Sequence, residues 1–194
     1  MNDNSILSQN VSALIDLLSD LPDDAGGFLE LASLEIVNCL QTGGAIFWCG
    51  NGGSAAESQH MAAELMGRFL INRKPYRSIS LTTDTSAITG IANDFGYSEI
   101  FKRQLEGIAK PGDFLVCYST SGKSENINLV LKVAREMGVQ TLAFLGSDGG
   151  EAIKIAKRNY LVKSNITARV QEIHTLLGHT LCQLIESKLE AKTA

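Results

Sequence analysis

Residues 45–65 read AIFWCGNGGSAAESQHMAAEL. An apolar run from Ala45 to Cys49 meets a glycine-rich turn, Gly50-Asn51-Gly52-Gly53-Ser54, and a helical pattern follows from about Ala55 to Phe69. Short apolar run, turn and helix in that order make one strand-to-helix unit. The same order recurs downstream. SISL, helices over 85–105, DFLVCYS, a helix over 124–137, TLAFLG, a helix near 151, NYLV and a closing helix from about Ala168 to Glu190 complete the chain. Such alternation predicts an α/β fold, a parallel sheet with helices on both faces. Upstream, apolar residues recur at helical spacing in Ile6, Leu7, Val11, Leu14, Ile15 and Leu18, and again from Phe28 to Leu40, with LPDDAGG between the two stretches. Residues 1–194 thus read as one domain, in which residues 1–42 form a helical arm whose apolar face points to contacts between subunits.

The 194 residues, 44% hydrophobic and 20% charged, suffice for a sizeable core. A formal net charge of -4 with scattered basic residues excludes the basic footprint of a nucleic-acid binder. Cys39, Cys49, Cys117 and Cys182 form no CxxC pair and sit mostly in apolar segments, as buried reduced thiols do. The first residues lack the basic and apolar regions of a signal peptide, and no apolar run approaches the length of a membrane helix. A cytoplasmic protein is expected.

In open α/β sheets ligands bind beyond the carboxyl ends of the strands, so the turns after AIFWC and DFLVCY carry the expected chemistry. The first fits a loose dinucleotide pattern, GxGxxA, at Gly50, Gly52 and Ala55. The acidic residue that should hold a ribose about 20 residues later is missing, since SISL runs into Thr82, Thr83 and only then Asp84. The second turn, Ser119-Thr120-Ser121-Gly122-Lys123-Ser124, ends like a P-loop, but Cys117 stands where the first P-loop glycine belongs. What remains is a set of hydroxyls and backbone N–H groups at a helix N-terminus, suited to a phosphate monoester. Ser124 also fits a plain helix N-cap.

His60 and Glu64, four apart, share one helix face and can hold a metal or a substrate together; spacing alone fits an ordinary surface pair equally. On the closing helix His174 and His179 lie roughly 140° apart, so they cannot face one site. Periodicity alone reads His179, after Leu176, Leu177 and Gly178, as a core histidine with a satisfied partner.

GNGGSAAESQHMAAEL, TTDTSAITGIANDFGY, YSTSGKSENI and ARVQEIHTLLGH together resemble the sedoheptulose 7-phosphate isomerases of the SIS (sugar isomerase) family, over about residues 43–186. The resemblance implies a three-layer sandwich with a five-stranded parallel sheet, and a homotetramer with sites between subunits. It implies conversion of sedoheptulose 7-phosphate to D-glycero-D-manno-heptose 7-phosphate through an enediol, the first step of bacterial heptose synthesis for lipopolysaccharide or another surface polymer. By position it makes Asn51, Gly52, Gly53, Ser54, Ser119, Thr120, Ser121 and Ser124 substrate and phosphate contacts, with Asn93 and Asp94 on sugar hydroxyls. One Zn²⁺ per subunit is implied on His60, Glu64, Gln171 and His179, Gln171 also facing substrate, with Glu64 and His179 as the acid-base pair. Ala168 stands where some relatives carry an acidic residue, so no helper role transfers there. Related adaptors that bind a replication-initiation protein keep the loops but lack this glutamate and histidine; both are present here, which favours an enzyme.

Overall fold

The computed structural model describes residues 3–19, 21 and 23–191. Five parallel strands, β1 (Ile46–Gly50), β2 (Ser78–Ser80), β3 (Phe114–Ser119), β4 (Gln140–Gly146) and β5 (Arg158–Val162), form one sheet in the order β2-β1-β3-β4-β5. The helices are α1 (Asp3–Ser19), α2 (Asp23–Gln41), α3 (Gly53–Met66), α4 (Thr85–Phe95), α5 (Ile100–Ile108), α6 (Glu125–Glu136), α7 (Ala152–Ile155) and α8 (Thr167–Glu190).

Both sheet faces are covered, which is why the strands carry unbroken apolar runs instead of alternation. Ile46 and Trp48 of β1, Phe114, Val116 and Tyr118 of β3, and Phe144 of β4 turn to one core with residues of α2, α3 and α8. Phe47, Cys49, Leu115, Cys117, Ala143 and Leu145 turn to the other, with residues of α5, α6 and α7. The three-layer α/β sandwich follows. Asp113, buried just before β3, accepts from the backbone N–H of Ala45 at 2.8 Å and of Lys110 at 2.8 Å, tying the entries of β1 and β3. All four cysteines are buried and unpaired, and no described helix is long and apolar enough to cross a membrane.

Two helix boundaries differ from expectation. α2 begins at Asp23, inside the segment read as a linker, and its Leu29, Ala32, Ile36 and Val37 are built into the first core. Of the arm at 1–42, it is α1 that lies outside, with Ile6, Leu7, Val11, Ile15 and Leu18 exposed. α3 stops at Met66 instead of Phe69, because the Glu186 carboxylate takes the backbone N–H groups of Phe69, Leu70 and Ile71 out of helical pairing.

The buried histidine of α8 is His174, not His179. Its ring lies 1% exposed among Tyr118 and Phe144, and Nε2–H donates to the Leu145 carbonyl at 3.2 Å. Burial pushes its pKa down to about 4. The native ring stays neutral over a range where an unfolded histidine, titrating near 6.5, takes up a proton, so this group stabilises the fold fully above pH 6.5. That contribution falls away as pH drops from 6.5 toward 4, a loss of up to ~3 kcal/mol at 1.36 kcal/mol per pH unit. Denaturant unfolding at pH 7, 5.5 and 4 should show this slope in the wild type and a flatter one in His174→Gln.

Candidate active site

β1 is flanked by β2 on one side and β3 on the other, so the connections leaving β1 and β3 diverge and open a crevice between them. A cavity of ≈ 290 Å³ occupies it. Asn51, Gly52, Gly53, Ser54, Ser119, Thr120, Ser121, Ser124 and Gln171, all expected at a substrate site, line this cavity together with Tyr118 and Thr167. The hydroxyl loop is held from within: Ser119 Oγ accepts from Gly122 N at 3.0 Å and Ser121 Oγ from Lys123 N at 3.2 Å. Gly122, at φ 63, seats its α-carbon against the Gly149 carbonyl, where no side chain fits. Ser124 occupies the N-cap position of α6 but its hydroxyl caps nothing, which leaves it available to a ligand. Lys123 turns away to Asp148 at 3.0 Å, and no Lys or Arg is among the residues lining the cavity. An anion here meets neutral hydroxyls and the N-terminus of α3.

The Asn51 side chain also has partners within the protein. Its amide exchanges two hydrogen bonds of 2.9 Å with the buried Asn126, and its Oδ1 also accepts from Tyr97 at 3.0 Å. The side chain ties the two loops together. Asn126 and Tyr97 were missed in the sequence because only the fold brings them to Asn51. Asn93 and Asp94 are exposed on α4, the Asn93 amide donating to Asp94 at 2.8 Å, and neither lines the cavity.

Farther along the same two helices, His60 and Glu64 of α3 meet His179 of α8. His60 Nε2 lies 3.1 Å from Glu64 Oε1 and 3.3 Å from His179 Nε2, and one ligand atom from each of the three residues falls within 4.8 Å of the others. A single ring nitrogen cannot serve both neighbours as a donor. The two imidazoles and the carboxylate are donors of zinc type, and the two shorter separations match the roughly 3.3 Å between ligands of a tetrahedral ion. The approach depends on Gly178, where an added Cβ would sit 2.7 Å from Met61 Sδ and 2.8 Å from the Tyr118 hydroxyl. Gln171 lies two turns earlier, its amide against Gly53 on the cavity wall.

A model of the SIS domain matches residues 10–146. A phosphoheptose isomerase of Akkermansia muciniphila is 43% identical over 94% of this chain and 96% of its own length. One of Aliarcobacter butzleri is 50% identical over 83% and 85% respectively. Among solved structures, the phosphoheptose isomerase of Francisella tularensis superposes with a TM-score of 0.92 at 30% identity, covering 95% of this chain and 98% of that one. This chain belongs to the phosphoheptose isomerases of the SIS domain family.

A smaller cavity of ≈ 200 Å³ shares Gly53, Ser54, Tyr118 and Gln171 with the first in this SIS domain, and its walls also include Glu57, His174 and Thr175. Glu57 accepts from the Thr175 hydroxyl at 2.9 Å through one oxygen. Nothing in the sequence singled out Glu57, because its hydrogen-bond partner comes from α8. Gly178→Ala should push α8 off α3, at about 1–3 kcal/mol for overpacking a filled interior. Gly107→Ala, at an exposed helical position with nothing within 4 Å, should gain about 0.5–1 kcal/mol instead. Thermal melts of the two variants check the contrast.

Proposed function

We propose that this SIS domain interconverts sedoheptulose 7-phosphate and D-glycero-D-manno-heptose 7-phosphate. The observation that carries this reading is the pairing of a neutral phosphate cradle with a His60–Glu64–His179 cluster on the same two helices. Seven residues separate Gly53 from His60, about 10 Å of helix rise. That offset suits an extended sugar whose phosphate and carbonyl lie at opposite ends.

The ketose carries its carbonyl at C2. A base removes a proton from C1, the electron pair forms the C1–C2 double bond of an enediol, and a proton passes to O2. Return of a proton to C2, with loss of the O1 proton, leaves the aldehyde. Glu64 and His179 are the two groups of the cluster suited to these transfers, and Gln171 on the cavity wall holds a sugar hydroxyl. Zinc held by His60, Glu64 and His179 would supply a Lewis acid for a sugar oxygen, with Gln171 the fourth ligand that the family resemblance implies. Since Glu64 and His179 would serve both proton transfer and ligation, the ion is weakly held.

Five exposed apolar residues along α1 support an interface between subunits, since each large apolar side chain left in water forgoes about 1.5–3 kcal/mol; a homotetramer is the assembly that the family resemblance implies. Sites between subunits would bring Asn93 and Asp94 of one copy to the cradle of another. A cytoplasmic location, and no nucleic-acid partner, accord with the charge and with the sugar phosphate substrate.

Incubation of purified protein with sedoheptulose 7-phosphate, followed by NMR of the products, should show the aldose. Glu64→Gln and His179→Gln should each lower kcat by about 10²- to 10⁴-fold; activity within a few-fold of wild type would remove them from proton transfer. Ser121→Ala with Ser124→Ala should raise KM and weaken inhibition by inorganic phosphate, at about 1 kcal/mol for each lost donor. An unchanged KM would place the phosphate elsewhere. A chelator should abolish turnover and Zn²⁺ restore it, whereas full activity in metal-free protein would make the ion incidental.

A further inference from the structure

The segment between α3 and β2 is anchored by a buried ion pair that no site residue explains. Arg73 Nε donates to Glu186 Oε1 at 2.9 Å, and the two side chains are 0% and 1% exposed. Glu186 also accepts from the backbone N–H groups of Phe69 at 3.1 Å, Leu70 at 2.7 Å and Ile71 at 2.9 Å. Arg73 spends its remaining donors on carbonyls at the end of α3: Glu64 at 2.9 Å, Leu65 at 3.0 Å and Gly67 at 3.1 Å, with Lys74 at 3.1 Å. Each end of this pair reaches the triad. The Glu64 carbonyl belongs to a triad residue, and Glu186 lies seven residues beyond His179, two turns along the same face of α8. The anchored turn presents Phe69, whose ring stacks on that of His179, with centroids 5.5 Å apart and planes at 10°.

We propose that Arg73 and Glu186 are positioning residues for the triad, setting the separation of α3 and α8 there and holding Phe69 as a wall against His179. A buried ion pair adds little net stability because desolvation offsets its attraction, and its best-attested use is to set register. The planar guanidinium suits this one, since it spans five acceptors from two elements with a fixed fork that an ammonium lacks. Phe69 limits the His179 ring to one orientation, as outer partners of metal-ligating histidines do. The inference rests on the reading of the triad as a metal and proton-transfer centre.

The test uses the full-length protein, loaded with Co²⁺ as a spectroscopic probe, in wild type, Glu186→Gln, Arg73→Lys and Phe69→Leu. Visible spectra, Co²⁺ affinity by chelator competition, kcat and KM, and metal-free melting are compared. Phe69→Leu keeps the ion pair and should melt close to wild type. Even so, its Co²⁺ spectrum should shift, and its affinity or kcat should fall about 10- to 100-fold with little change in KM. Arg73→Lys and Glu186→Gln should shift the spectrum the same way and melt lower. Folded Arg73→Lys and Phe69→Leu with wild-type spectra and affinities would overturn the positioning role while leaving the function standing. A wild type that takes up no Co²⁺ would overturn the metal reading, and this inference with it.

Discussion

β1 and β3 run side by side in parallel from Ile46 against Phe114 to Gly50 against Tyr118, and the chain leaves their ends in opposite directions. Backbone that must turn away from two adjacent strands cannot close the space above them. A sheet ordered by sequence alone would have placed β2 between them and filled the crevice with a crossover. The reciprocal amide bonds between Asn51 and Asn126 span this gap just beyond the strand ends, so the loops are fixed relative to each other before any ligand arrives.

Electrostatics divides the site into two ends. At the cradle, hydroxyls, backbone N–H groups and the start of α3 face an anion without a cationic side chain in the wall, while Lys123 is held outside by Asp148. Neutral donors retain a phosphate without the strong charge pairing that slows release. At the other end, His60 and Glu64 of α3 converge with His179 of α8. Under the proposed function, a sugar phosphate lying along the two helices would meet each kind of chemistry where it carries the matching group.

The contact between α3 and α8 links stability to function. Gly178 removes the side chain that would keep these helices apart, Met61 fills the space beside it, and the Arg73–Glu186 pair closes the far end. The carboxylate of Glu186 illustrates how such a group is kept charged inside a protein. Burial works to raise its pKa, but three backbone N–H groups and the Arg73 guanidinium outweigh burial and hold it below the usual carboxylate range. The anchored turn that results is also what ends α3 early and sets Phe69 over His179.

Strand runs, the parallel sheet and the two hydroxyl- and glycine-rich turns were legible along the chain, because each is a local pattern: apolar period, turn composition, helix start. His60 and Glu64 were legible as a pair because a helix turns a spacing of four into proximity. The chain pattern assigned the core histidine to the wrong position. His174 and His179 sit in similar apolar surroundings along α8, and only the angle at which the helix meets β3 and β4 sends the first under Tyr118 and Phe144 and the second out to His60. Asn126, Tyr97, Glu57, Phe69 and the Arg73–Glu186 pair stayed hidden for the same reason. Their partners lie from 46 to 118 residues away in the chain. Sequence determined which elements form and which groups are available to them, since those depend on neighbours in the chain. Tertiary structure alone decided which groups from different elements meet, since that depends on the strand order and on how closely α8 can lie on α3.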